Sequence, residues 1–149
     1  MTEAETREAI VREAIGWIGT PFVGRSALKG YGCDCAGLPL RVYQAVGLVP
    51  RDLELPFYSL GQLVDRRRED TTYLDLVLRL AKREVPEAEA RPGDLVLWRL
   101  VHSWTHGGII VKWPSYVIHS VEGRGAVGSH GTKEGFLLNR PRRFFTLIG

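Results

Sequence analysis

The sequence predicts an α+β domain in which helices come first and an antiparallel sheet follows. Apolar residues recur at helical spacing through the first half, whereas from Asp94 onward the chain breaks into short β-rich runs separated by glycine or proline. Its 149 residues are also enough to bury a core without disulfide or metal staples. One domain spanning 1–149 is therefore expected, with helices packed on one face of a meandering sheet of about five to six strands.

The first helix is read from Ile10, Ala14, Trp17 and Ile18, which fall on one face, and "GTP" at Gly19 to Pro21 stops it. Glycine-rich text from Phe22 to Gly32 reads as loop. A second helix follows, with Cys35 at its start and Leu38, Val42, Ala45 and Val46 sharing a face. "VPRDLELPFYSLGQL" has prolines and no long period, so it reads as a connector folded over the surface beside the active face. The third helix is expected to open near Asp70, Thr71 and Thr72, with Tyr73, Leu76, Val77 and Leu80 as its apolar stripe, and "EVPEAEARPGD" to end it. The strands are "DLVLWRLV", "GGIIVKW", "SYVIHSVE", "GAVGSH" and "RRFFTLIG".

Composition narrows the function classes. Hydrophobic residues make up 44% and charged residues 25%, ordinary for a globular chain, and no apolar run is long enough to cross a bilayer, so no membrane role is expected. "MTEAETREAIVREAIGW" is charged and amphipathic and lacks the pattern of a secretory signal, so export by the general route is not expected. The net charge of +3 is mild, and the basic residues toward the C-terminus lack interleaved stacking aromatics. Nucleic acid is not an expected partner.

The chemistry concentrates in "GYGCDCAG". A thiol at a helix start meets unpaired backbone N–H groups and the positive end of the helix dipole, which lower its pKa. Cys35 has that place, with Asp34 as a capping residue before it and the small Ala36 and Gly37 after it. Pro39 has no N–H for the Cys35 carbonyl, so an irregular first turn is expected. Of the four histidines, His106 stands immediately before a glycine-bearing strand and is the best candidate base. His119 lies in the next strand, where an antiparallel neighbour can bring its ring to His106 and hold that ring's tautomer. Two cysteines and two histidines could instead ligate zinc, but Cys-x-Cys spacing suits a tetrahedral site badly, and a Cys33–Cys35 disulfide would close a strained ring. No metal or cofactor is expected, and Cys33 is expected to pack under the loop.

Taken in order, "GWIGTPF", "GCDCAGLPLRVYQAVGL", "RPGDLVLW", "HGGIIV" and "YVIHSVEGRGAV" resemble the NlpC-type cysteine peptidases. That family has a papain-like fold and cuts peptidoglycan stem peptides. The "CDC" and the "WP…VIH" hairpin extend the likeness to a subgroup encoded beside tail genes in prophages and gene transfer agents. The resemblance implies Cys35 as nucleophile, His106 as base and His119 as the third, polar residue. It implies backbone N–H groups at the helix start, including that of Cys35, as oxyanion donors. The substrate it implies is the amide between the D-glutamate side-chain carboxyl and a diamino acid. A phage-like tail hub or baseplate would be the partner, and the periplasm or cell wall the place of action. Phe22 stands where many members carry a tyrosine, and Tyr31 is a candidate to supply that hydroxyl instead. Two other roles stay open at this point: a non-catalytic tail component, or an amidase or acyltransferase on the same scaffold.

Overall fold

Thr2 opens the first helix through a reciprocal capping box: its Oγ1 accepts from the Glu5 N–H at 3.1 Å, and the Glu5 carboxylate accepts from the Thr2 N–H at 2.8 Å. In the computed structural model, which describes residues 1–56, 69–133 and 135–149, this helix is α1, Glu3–Ile15. Ile10 and Ala14 are buried as the spacing predicts. Arg7 is buried too, and its guanidinium donates to Asp94 Oδ1 at 2.8 Å and to the Pro92 carbonyl, fastening α1 to the sheet. Ile18 departs from the expected face, being 42% exposed, while Trp17 is buried. The helical period ends at Ile15, and Trp17 and Ile18 donate three residues back in a tightened turn that swings Ile18 outward.

The glycine-rich loop contains a small hairpin that the sequence reading did not expect. Strand β1, Ala27–Leu28, pairs antiparallel with β2, Gly32–Cys33. Strands of two residues carry no alternation to read, and Gly30, at φ 83°, supplies the turn. The hairpin leans on helix α2, Gly37–Ala45: a Cβ on Gly37 would lie 2.7 Å from the Ser26 carbonyl oxygen and 2.8 Å from the Ala27 Cβ. Leu38 and Val42 are buried and Val46 is half-buried, but Ala45 is exposed. The chain after α2 covers the Gln44 side instead, where the Gln44 amide donates to the carbonyls of Pro50 and Leu53. Of the expected connector Val49–Leu63, residues 57–63 lie outside the described residues.

Helix α3, Thr72–Leu80, begins where expected, with Asp70 Oδ1 accepting from the Thr72 N–H at 2.9 Å. Tyr73, Leu74, Leu76 and Val77 are buried, and Leu80 is half-buried. The segment after it does more than stop the helix. Arg83–Val85 forms β3, and its pairing with the last strand is what raises the sheet to six strands. Two charged residues in three hide such a strand from hydropathy; the Phe144–Thr146 backbone recruits it.

The remaining strands are β4 (Leu95–Leu100), β5 (Ser103–Lys112), β6 (Tyr116–Val121), β7 (Gly125–Ser129) and β8 (Arg142–Thr146). The sheet order is β3-β8-β4-β5-β6-β7, with every neighbouring pair antiparallel. Alternation splits the sheet between two apolar layers. Leu95, Leu97, Ile109, Ile118 and Phe145 pack toward the helices, whereas Val96, Trp98, Ile110, Val117 and Phe144 form a second layer closed by Leu137 and Trp113. The fold class is thus the predicted α+β. Among the described residues no helix is long and apolar enough to cross a membrane.

Strand β5 starts four residues before the expected Gly107, so His106 lies inside it, opposite Trp98, not ahead of it. The register slips by one residue between Trp98 and Arg99, which leaves Thr105 without a partner on β4. Such a bulge turns backbone groups out of the ladder. On the far side, β7 is held to the loop after α1 by Ala126, which accepts from the Gly19 N–H and donates to the Thr20 carbonyl. Gly125 makes that contact possible: its φ is 77°, and a Cβ there would lie 2.4 Å from the Thr20 carbonyl oxygen. Gly125→Ala is expected to destabilise the fold by more than about 1 kcal/mol, read as a lowered thermal midpoint.

Candidate active site

Asp34 builds the start of α2 from beneath. It is fully buried; Oδ1 accepts from the N–H groups of Gly37 at 2.7 Å and Ala36 at 3.2 Å, Oδ2 accepts from the Arg25 N–H, and its carbonyl accepts from the Leu38 N–H. Asp34 is therefore the cap that the sequence suggests, and it holds Cys35 in the non-helical step before the first turn. Strand β5 comes close because Gly107 has no side chain: a Cβ there would meet the Cys35 carbonyl oxygen at 3.2 Å and the Tyr73 hydroxyl at 3.1 Å. The Tyr73 hydroxyl donates to the Ala36 carbonyl.

The thiol itself differs from expectation. Cys35 is only 5% exposed, and burial raises its pKa, with the Asp34 charge acting in the same direction. Backbone N–H groups of Cys35 and Gly107 oppose the rise but are outweighed. The expected lowering by the helix start is thus reversed, because desolvation of a thiolate exceeds what a short helix's first turn returns. Sγ donates to the Thr105 carbonyl at 3.2 Å, the group that the bulge in β5 frees from the ladder. At rest the site holds a neutral thiol. Alkylation of Cys35 by iodoacetamide, followed by mass spectrometry in a Cys33→Ala background, should accelerate continuously beyond pH 9; a rate that levels off below pH 7 would contradict this assignment.

The two histidines meet as the strand pairing suggests. His106 Nε2 and His119 Nδ1 are 2.8 Å apart, with the rings edge-on, and His119 Nε2 lies 2.6 Å from Ser129 Oγ. His106 Nδ1 is the ring nitrogen left outside this chain. Trp98 packs against both rings, with centroids at 5.5 Å and 5.8 Å, and Phe136 meets His106 edge-on at 5.0 Å. Burial pushes the His106 pKa well below the ordinary value, with His119 adding to the effect. Burial likewise lowers His119 to about 4, helped by the Arg124 charge. Both rings are therefore neutral near pH 7.

Cys35 and His106 line one cleft of about 190 Å³ together with Phe22, Ser120, Glu122 and Phe136. Phe22 thus occupies the cleft where a tyrosine was the family expectation. Tyr31 does not replace its hydroxyl, being 78% exposed and absent from the lining; the polar lining comes from Ser120 and Glu122. Tyr31 sits in the turn of the β1–β2 hairpin, which carries it away from the cleft. Cys33 is fully buried in β2, with its thiol donating to Ser120 Oγ at 3.5 Å, and both cysteines are free thiols. Among the described residues no three His, Cys, Asp or Glu side chains gather as a metal-binding group. His102 is exposed in the β4–β5 turn, and His130 bonds locally to Thr132, so neither joins the site. Sequence reasoning missed Ser129, Thr105 and Phe136. Ser129 was within reach of alternation, since Val127 pairs with His119 and Ser129 lies two residues further along the same face.

No family model matches the chain, and no curated protein matches it. Solved structures do. The NlpC/p60 domain of the peptidoglycan hydrolase SagA superposes with a TM-score of 0.62 at 22% identity, over 92% of this chain and 96% of that one. The P60 domain of an antigen from M. avium subspecies paratuberculosis gives 0.64 at 17% identity, over 98% and 97%. The peptidoglycan hydrolase RipB from Mycobacterium tuberculosis gives 0.64 at 19% identity, over 100% of this chain and 69% of that one. At these identities the likeness is one of fold. The chain has the α+β fold of the NlpC/p60 domains, with its cleft between the start of α2 and the β5–β6 pair.

Proposed function

We propose that this chain is a cysteine endopeptidase that hydrolyses peptidoglycan stem peptides, working as one domain over residues 1–149. The observation that carries the reading is the shared cleft: a thiol before a helix start faces the same space as a neutral imidazole whose far nitrogen is held by a second imidazole. SagA and RipB, both named as peptidoglycan hydrolases, share the fold and so point to the substrate class.

In this mechanism the Cys35 thiol passes its proton to His106 Nδ1 as Sγ bonds to the amide carbon. The carbonyl becomes an oxyanion, held by backbone N–H groups that include that of Cys35. Collapse breaks the C–N bond, and His106 returns the proton to the departing amine, leaving a thioester on Cys35. Water then enters and His106 takes one of its protons. The second collapse releases the carboxylic acid, and the proton returns to Sγ. His119 orients the His106 ring throughout.

The bond proposed is that between the D-glutamate side-chain carboxyl and a diamino acid, and the place of action is the periplasm or wall, with the protein delivered on a phage-like tail or baseplate. The tail context is supported by the "CDC" and "WP…VIH" resemblance. Digestion of purified sacculi, with released peptides identified by mass, tests bond and reaction together. New amine and carboxylate termini at the glutamyl bond are the expected products. Transfer of the acyl group to another amine would identify an acyltransferase, and no release of any peptide would refute the proposal. Immunoblotting of purified tail particles tests the delivery route separately.

A further inference from the structure

We propose that Ser129 is a positioning residue that sets the tautomers of His119 and His106, so that His106 presents an unprotonated Nδ1 to the Cys35 thiol. The catalytic meaning rests on the peptidase reading, but the tautomers themselves are measurable without substrate.

Each neutral imidazole carries one N–H and one lone pair, so a contact between two rings fixes each from the other. Across the 2.8 Å contact one ring donates and the other accepts, and the 2.6 Å contact to Ser129 extends the dependence by one step. Two arrangements satisfy the chain. In the outward one, His106 Nε2–H donates to His119 Nδ1 and His119 Nε2–H donates to Ser129 Oγ, leaving a lone pair on His106 Nδ1. In the inward one, the serine hydroxyl donates to His119 Nε2, His119 Nδ1–H donates to His106 Nε2, and His106 Nδ1 is already protonated. Only the outward arrangement can accept the thiol proton. It also needs no rearrangement when that proton arrives, because His106 Nε2 keeps the same acceptor before and after.

Burial gives Ser129 its control. His119 is 1% exposed and Ser129 5%, and the Trp98 ring packs beside His119, so water does not stand in for the hydroxyl. Without Ser129 Oγ, the His119 Nε2–H is an orphaned buried donor, which is costlier than an under-satisfied acceptor. His119 then moves its hydrogen to Nδ1, which donates to His106 Nε2 and drives the His106 hydrogen onto Nδ1. A change at β7 thereby disables a base on β5 that it does not touch.

The test is a long-range ¹H–¹⁵N correlation spectrum of histidine-labelled His102→Gln/His130→Gln protein near neutral pH, in which only the two buried rings contribute. Both rings are expected as Nε2–H tautomers. In Ser129→Ala the His106 Nδ1–H form should grow, with kcat for stem-peptide cleavage reduced by up to about 100-fold at unchanged KM; Ser129→Thr should restore both. A wild-type His119 in the Nδ1–H form, or tautomers unmoved by Ser129→Ala, overturns the proposal. If Ser129→Ala does not fold, the wild-type spectrum still decides the assignment. If the wild type cleaves no stem peptide, the peptidase reading fails while the spectra continue to decide the tautomers.

Discussion

Cys35→Ala is expected to abolish release of peptides from sacculi, lowering the rate by roughly 10⁴-fold or more, while the protein stays folded. The substitution removes the atom that would form the thioester and almost nothing else. As a thiol, Sγ donates to the Thr105 carbonyl, and loss of that bond costs no more than about 1 kcal/mol. The cap that shapes the surrounding turn belongs to Asp34 and is untouched. Activity and stability should therefore separate cleanly. Cys35→Ser sharpens the comparison, because its hydroxyl can still donate to Thr105 but requires a stronger base than neutral His106. Cleavage at the wild-type rate by Cys35→Ala, measured beside an unchanged thermal midpoint, would remove Cys35 from the mechanism, whereas tails that carry Cys35→Ala and open the wall unchanged would favour the non-catalytic tail-component role.

The second large effect is acid lability. The unfolded chain binds a proton at each histidine near pH 6.5, whereas folded His119 does so only near 4 and His106 also well below the ordinary value. Between those limits the unfolded state carries more protons than the folded one, so stability is complete above about pH 6.5 and falls as the pH drops toward 4. For His119 alone the difference between 6.5 and about 4 corresponds to about 3 kcal/mol, a large share of an ordinary domain's margin. His106 adds to it in the same direction. Glu3 and Glu84, whose pKa values are lowered chiefly by hydrogen bonds to Arg7 and Arg143, contribute only below their ordinary 4.5, so the windows are distinct. Urea unfolding midpoints measured at intervals from pH 7.5 to 4 should hold level to about pH 6.5 and then fall, and His119→Gln should flatten part of the slope. A profile level from 7.5 to 5 would mean that the rings are not held neutral by burial.

The legible part of this site was the part fixed by local chemistry. Asp34, Cys35 and the small residues after them sit within one turn of chain, and strand pairing brings His119 to His106 as the short hairpin between them requires. The illegible part depends on residues far apart in sequence. Phe22 and Phe136 reach the cleft from opposite ends of the chain, and no local pattern announces that they line it together with Cys35. The raised thiol pKa and the neutrality of the histidines follow from burial, which only the packed whole determines. The hairpin of β1 and β2 was lost to its brevity, and β3 to its charges. Ile18 and Ala45 failed for a common reason: each stands where a helix ends and the neighbouring chain, not helical period, decides what is covered.

The bulge at Thr105 has a meaning for durability. Peroxides and disulfide oxidants attack thiolates, and a cysteine that keeps its hydrogen on a backbone carbonyl spends little time in that form. Beside the burial that raises its pKa, the residue that interrupts β5 thereby helps give the thiol a shelf life. In the proposed mechanism Cys35 would stay chemically quiet until a peptide enters the cleft and the thiol proton passes to His106.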